Sequence, residues 1–302
     1  GLWAVKIDLK TLKTEDAPFL VEPAGSFPSL AADGTLLLVR PSTAKPDLVW
    51  VSHGGALETI GPLPQSAASY GSNRFMDISK DGRRVLITLQ AASSGELWVY
   101  DLANRTARVV TSGAGQAVSP RWMPDGEHAL VSADFTERNW NLYRVSLNGG
   151  APVRLTTGEV FQYSASLTPD GRTIVYGEST DGGSLFAVTE RDGRLGDPRR
   201  LFSASMQYDF PSLSPDGKWL AYSSDATGRV EVYVRPFPDV GAARRQVSTN
   251  GGENPVWARG GRELFFVDAD FRMNVATLET APDFRVLRRD VLFELGPEYL
   301  GR

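Results

Sequence analysis

Cysteine is absent from this chain, histidine occurs only twice, and nothing in it approaches 18 consecutive apolar residues. Each gap excludes something. Without cysteine there is no disulfide framework and no thiolate metal centre. The two histidines, His53 and His128, fall in unrelated local contexts, so a shared His-based metal site or a Ser-His-Asp arrangement has no support. No helix-length apolar run is available to span a bilayer. A G-x-S-x-G elbow, a Gly-rich nucleotide loop and HRD or DFG strings are all missing. The Gly-Gly pairs are followed by no helical pattern, so they form no phosphate loop. Basic residues are scattered, with short Arg-Arg pairs on outer strands where charge guards a sheet edge. With a net charge of −4, a nucleic-acid face is disfavoured.

What is present is one phrase used six times. It reads LSPDGKWLAYSS at 213–224, LTPDGRTIVYGE at 167–178 and WMPDGEHALVSA at 122–133. Weaker copies stand at 78–89, 30–40 and 257–268. The shared Asp position falls at Asp33, Asp81, Asp125, Asp170 and Asp216, and at Gly260 in the last copy; the steps are 48, 44, 45, 46 and 44 residues. Strand-built self-similarity at this period marks a β-propeller. Each copy reads as inner strand, Asp-Gly turn, second strand, loop, third strand and fourth strand. Asp-Gly closes hairpins because Gly accepts φ > 0 and Asp tolerates it. These carboxylates are therefore read as turn formers, not as a catalytic cluster.

The expected fold is all-β, a single propeller over 1–302 with six four-stranded blades, and seven with an incomplete closing blade as the alternative. Repeats are placed at about 27–62, 74–113, 118–158, 163–204, 209–249 and 253–295, with extra closing strands in 1–22. The chain begins in mid-phrase, which suggests a piece of a longer protein. Trp122 and Trp257, with Leu30, Ile78, Leu167 and Leu213 at the same repeat position, are expected to be buried between blades.

Inner strands line a central channel, so their starts ring one mouth. Seven residues before each Asp position stand Ser26, Arg74, Val118, Tyr163, Asp209 and Glu253; one residue later come Phe27, Phe75, Ser119, Ser164, Phe210 and Asn254. Framework positions are monotonous, whereas this one carries a cation, two acids and a phenol. Variation on a fixed frame is what a binding rim shows. The candidate ligand-binding residues are Arg74, Tyr163, Tyr208, Asp209, Glu253 and Asn254. Arg74 would take a carboxylate, Asp209 and Glu253 an amine, and Tyr163 a stacking group. Carboxylates at blade ends (Asp134, Glu178, Asp225, Asp268, Asp270) are weaker candidates for a Ca²⁺ site, and solvated loop acids are the plainer reading. No other cofactor is expected.

The stretch from SPDGKWLAYSSDATGRVEVYVRPFP to QVSTNGGENPVWARGGRELFFVD resembles the WD40-like repeats of TolB-type propellers. EVYVRPFP and QVSTNGG, with GLWAVKIDL at the start, are similar to the propeller region that follows the kinase domain in bacterial serine/threonine kinases. The resemblance spans essentially the whole chain. It implies a sensor or interaction domain outside the membrane, in the periplasm or at the cell surface. The repeat fold, the missing catalytic constellation and the mixed-charge rim point to a non-enzymatic module that binds a protein, peptide or small molecule at the channel mouth. Kinase activity does not carry over, because its motifs are missing. The rival readings are a propeller-based hydrolase or lyase that uses carboxylates, and a packing domain that rests against a neighbour.

Overall fold

The computed structural model describes residues 47–52, 56–63, 76–90, 95–111, 115–135, 139–180, 183–202 and 208–294, and strand backbone at 2–4, 7–8, 13–14, 19–22, 26–30 and 36–40. Every regular element among the described residues is a strand. The strands form antiparallel meanders, here numbered as sheets in chain order: I (26–62), II (76–109), III (117–154), IV (162–200), V (208–246) and VI (253–294). Five of these are four-stranded, and sheet IV has five strands. Leu2–Ala4 pairs with Phe19–Glu22, and Ile7–Asp8 pairs with Lys13–Thr14. These short pairs make no four-stranded sheet.

The expected six or seven four-stranded blades are corrected to five. The departure in sheet IV has a local cause. Its third strand, Ser184–Arg191, runs on past the repeat frame and turns at Asp192-Gly193, with φ of 52° and 76°. Two consecutive left-handed residues match the right-handed twist of a hairpin. The chain therefore adds Arg194–Leu195 against the same strand before Arg199–Arg200 takes the usual outer place.

Side-chain alternation explains the stacking. In the second strand of sheet II, Val85, Ile87 and Leu89 point to a cluster with Leu48 and Ile60 of sheet I. Leu86, between them, joins Ala129, Val131 and Tyr143 of sheet III. Each sheet thus has two apolar faces and needs a neighbour on both. Further clusters join III to IV, IV to V and V to VI. The ring closes where Val49 and Val51 of sheet I meet Phe265, Val267, Met273, Val275 and Phe293 of sheet VI. Fully burying one such side chain stabilises by ~1.5–3 kcal/mol.

The Asp-Gly turns are wider than two-residue hairpins. Ser79 N–H donates to the Arg84 carbonyl, and Gly82 N–H donates back to the Ser79 carbonyl. The pattern repeats at 123–128, 168–173, 214–219 and 258–263. Asp81 accepts from the Ser79 hydroxyl and the Arg83 N–H. Asp170 does the same with Thr168 and Arg172, and Asp216 with Ser214 and Lys218. The Ser79 hydroxyl bond, then the backbone bond, holds the Asp81 carboxyl below the usual range. The last copy has lost both partners at once, having Ala258 and Gly260 there. His128 sits on its own turn, its Nδ1 2.8 Å from Asp125 Oδ2; His53 lies outside the described residues.

Candidate functional site

Five inner strands share a defect that shapes the channel. Strand pairing slips between Ser26 and Ser29, Val118 and Arg121, Tyr163 and Ser166, Asp209 and Ser212, and Glu253 and Val256. At the last four slips one residue takes a left-handed backbone: Ser119 at φ 51°, Ser164 at 49°, Phe210 at 49° and Asn254 at 54°. A bulge of this kind re-aims neighbouring side chains and breaks strict alternation. None of the four is glycine, so each holds a conformation that costs a side-chain-bearing residue about 1–2 kcal/mol.

These four bulge residues line a chamber. Beside them, the Tyr163 ring stacks on the exposed Phe161 at 5.2 Å and 26°, and Phe161 meets Trp140 edge-on at 5.1 Å. Tyr163 lies across Gly177, where an added Cβ would come within 2.9 Å of its ring. Asp209 accepts the Phe210 N–H at 2.7 Å. Burial pushes its carboxyl up to about 7 against that bond, and the Glu253 charge adds to the rise. Burial, and then the charge of Asp209, push the Tyr163 hydroxyl upward. Tyr163, Asp209 and Glu253, from sheets IV, V and VI, therefore form one electrostatic neighbourhood. Asn254, on the last bulge, lines the chamber.

Two other candidates fare differently. Tyr208 is a correction: it is 7% exposed and packs with Phe202 and Tyr222 between sheets IV and V. It precedes Asp209 on the strand, so when Asp209 turns to the rim Tyr208 turns into the sheet contact. Arg74 lies outside the described residues.

The chamber is a cavity of about 610 Å³ running from the bulges to the Asp-Gly turns. Its walls are latched from strand to strand. Trp122 donates its indole N–H to the Asp77 carbonyl at 3.0 Å and its backbone N–H to Asp77 Oδ2 at 2.7 Å. Leu213 N–H donates to Ser166 Oγ, and the Trp257 indole to the Ser212 carbonyl. Arg121 Nε reaches the Ala165 carbonyl at 3.1 Å. Trp257 is buried as expected, with Ile78 and Leu213. Trp122 and Leu167 are only half-buried, because both face the chamber; Leu30 is outside the residues whose burial is described. Arg84 stacks over Trp122 at 4.6 Å. Arg259 donates to the Ser79 and Lys80 carbonyls, tying sheet VI to sheet II. Asp77 is pushed up by burial, against the pull of Arg121, the Trp122 N–H and Arg259.

Sequence reasoning missed Asp77, Arg121 and Arg259. A signal existed for the first two: the position four before each Asp reads Ser29, Asp77, Arg121, Ser166, Ser212 and Val256, an acid and a cation in a position otherwise held by serine or valine.

The blade-end carboxylates are not gathered. Asp134 accepts the Gln116 N–H, Glu178 the Gln162 amide, and Asp268 and Asp270 share Arg272. Among the described residues no group of three or more His, Cys, Asp or Glu is placed to hold a metal ion. No described helix is long and apolar enough to cross a membrane.

Comparison with known proteins places this geometry. An uncharacterized protein of Agrobacterium fabrum, Atu1656, is 27% identical over 147 residues, 49% of this chain and 49% of the relative. The chain thus spans about half the length of that relative. The crystal structure of TolB from Acinetobacter baumannii aligns with a TM-score of 0.63 at 22% identity, covering 85% of this chain and 66% of that one. Puromycin hydrolase aligns at 0.64 and 18% identity, covering 92% of this chain and 47% of that one. Likeness at this level concerns the fold. Residues 49–260 match the family described as the TolB beta propeller domain, PD40, and the chain belongs to that family.

Proposed function

We propose that this chain is a non-catalytic recognition propeller that takes a peptide, a protein segment or a small molecule into its central channel. The observation that carries the reading is the chamber of about 610 Å³, which lies beneath the Tyr163, Asp209 and Glu253 rim. Cavities of roughly 300–1,000 Å³ with apolar walls and a few aimed polar groups suit small ligands. The rim offers aromatic faces on Phe161 and Tyr163 and two carboxylates, a surface for an amine-bearing end. Likeness to TolB-type propellers supports an extracytoplasmic location and a partner that is itself a protein. The similarity of EVYVRPFP and QVSTNGG supports attachment to a kinase in a longer protein.

A cavity-filling variant tests the reading. Val256 faces the channel on sheet VI, and Val256→Trp reduces the chamber. Ligand-observed NMR with mixtures of short peptides and metabolites should find binders to the parent chain that this variant loses. Binding that persists unchanged in Val256→Trp refutes channel recognition.

One observation favours a second reading. Asp209, with its carboxyl pushed up to about 7 beside Glu253, has the form of an acid-base pair. The likeness to puromycin hydrolase adds a fold on which hydrolysis occurs. A hydrolase of this design should lose turnover of chromogenic esters, amides or glycosides on Asp209→Asn; no turnover by the parent chain removes the reading.

A further inference from the structure

Deepening the recognition reading, on which it rests, we infer that the chamber contains an oxyanion subsite, built from Ser119 and Arg121, that holds the carboxylate of the ligand. The charge count inside the channel is the first reason. Among the described residues, Lys80, Arg84, Arg121 and Arg259 line it against Asp77, Asp81 and Asp125, four cations to three carboxylates, although the chain as a whole carries −4. Two of the acids are already committed: Asp81 and Asp125 cap their own turns. Asp77 is bonded to the Trp122 N–H.

Among the described residues none of these cations has a carboxylate within ion-pair distance, though Asp77 lies near enough to feel the charges of Arg121 and Arg259. Arg84 and Arg259 donate to backbone carbonyls. Arg121 does the same through Nε to Ala165 and Nη1 to Pro120, the latter at 3.4 Å. Its Nη2 donates to no described group. The carbonyl contacts fix the guanidinium plane without neutralising its charge, and they leave Nη2 to donate to an anion.

An independent observation marks the same place. Ser119 is 3% exposed, lines the chamber, and its Oγ has no hydrogen-bond partner. A buried hydroxyl left unpaired has given up its bond to water and gained none in return, which is unfavourable. The left-handed bulge at Ser119, φ 51°, holds it in the wall two residues before Arg121. A carboxylate with one oxygen on Arg121 Nη2 and the other on the Ser119 hydroxyl satisfies both groups. Trp122, Phe210 and Trp257 supply apolar wall for the body that bears it. The predicted ligand is therefore an apolar or aromatic group ending in a carboxylate, such as the C-terminus of a peptide.

Benzoate, benzamide and phenylphosphonate separate the contributions. Each is titrated into the full chain while the indole N–H resonances of Trp122 and Trp257 are followed. Benzoate should shift both, with benzamide about tenfold weaker or more for want of the charge. Arg121→Met should weaken benzoate by about tenfold or more and Ser119→Ala by a few-fold, with Arg121→Lys between them. If Arg121→Met does not fold, Ser119→Ala and Arg121→Lys decide. Equal binding of benzoate and benzamide overturns the oxyanion subsite while leaving channel recognition standing. Tighter binding of phenylphosphonate than benzoate overturns the carboxylate assignment. No shift with any probe overturns the subsite and the channel reading together, and so does benzoate binding unchanged in both Ser119→Ala and Arg121→Lys for the subsite alone.

Discussion

Replacing Asp209 with asparagine should stabilise this protein, and only at high pH. The carboxyl goes from an ordinary value of 3.8 to about 7 in the folded chain, because burial disfavours its charge and Glu253 repels it. A folded state that binds a proton more tightly than the unfolded state loses stability as pH rises between those two values. Below about 4 both states are protonated and the penalty is gone; above about 7 it is complete. At ~1.4 kcal/mol per decade of proton affinity the gap sets an upper bound of about 4 kcal/mol. Asp209 keeps a partly exposed face, and solvent screening brings the expected value to about 2 kcal/mol. Asparagine retains an oxygen to accept the Phe210 N–H and carries no charge to bury. For a chain of this size 2 kcal/mol moves the melting temperature by about 3 °C. Scanning calorimetry of parent and Asp209→Asn at pH 8 and pH 4 should show a gap of that size at pH 8 and almost none at pH 4. An equal gap at both, or a parent that melts higher at pH 8, refutes the electrostatic account of the rim.

Two further outcomes follow from the packing. Trp257→Ala, which empties a buried indole site against Phe284 and removes the bond to Ser212, should cost ~3–5 kcal/mol in urea unfolding, and Trp122→Ala clearly less; equal costs would mean that Trp122 is not a chamber wall. Arg259→Ala should speed amide exchange at Val49, Val51 and Val267 by about tenfold while sheets III to V stay protected, since charged hydrogen bonds contribute ~1.5–3 kcal/mol; a uniform change would show that Arg259 has no special tie to the closure.

The repeat frame was legible because turns have strong local chemistry. Asp81, Asp125, Asp170 and Asp216 all do locally what an Asp-Gly signal implies. The same dipeptide at Asp192-Gly193 was passed over because it lies off the period, and it makes the additional hairpin of sheet IV. Of the candidate binding residues, Tyr163, Asp209 and Glu253 come into one electrostatic neighbourhood, because equivalent positions ring an axis. Tyr208 did not, since one residue along a strand reverses the face. The bulges were hidden because serine, phenylalanine and asparagine occupy left-handed positions that glycine would have announced. Arg121 and Arg259 were hidden for another reason: their partners are backbone carbonyls on other sheets, which leave no trace in residue type.

The closure between sheets I and VI sets an order of events in folding. The other hydrophobic clusters among the described residues each join sheets adjacent in sequence, so hairpins and neighbouring pairs can assemble locally and early. Val49 meets Val267 only after almost the whole described chain has been made and ordered. Bringing segments so distant together costs about 5 kcal/mol of chain entropy by the logarithmic loop law, and with no cysteine there is no covalent clasp to hold them. An open arc of stacked sheets is the natural late intermediate, and the joint beside Val49 is the place where a finished ring reopens first.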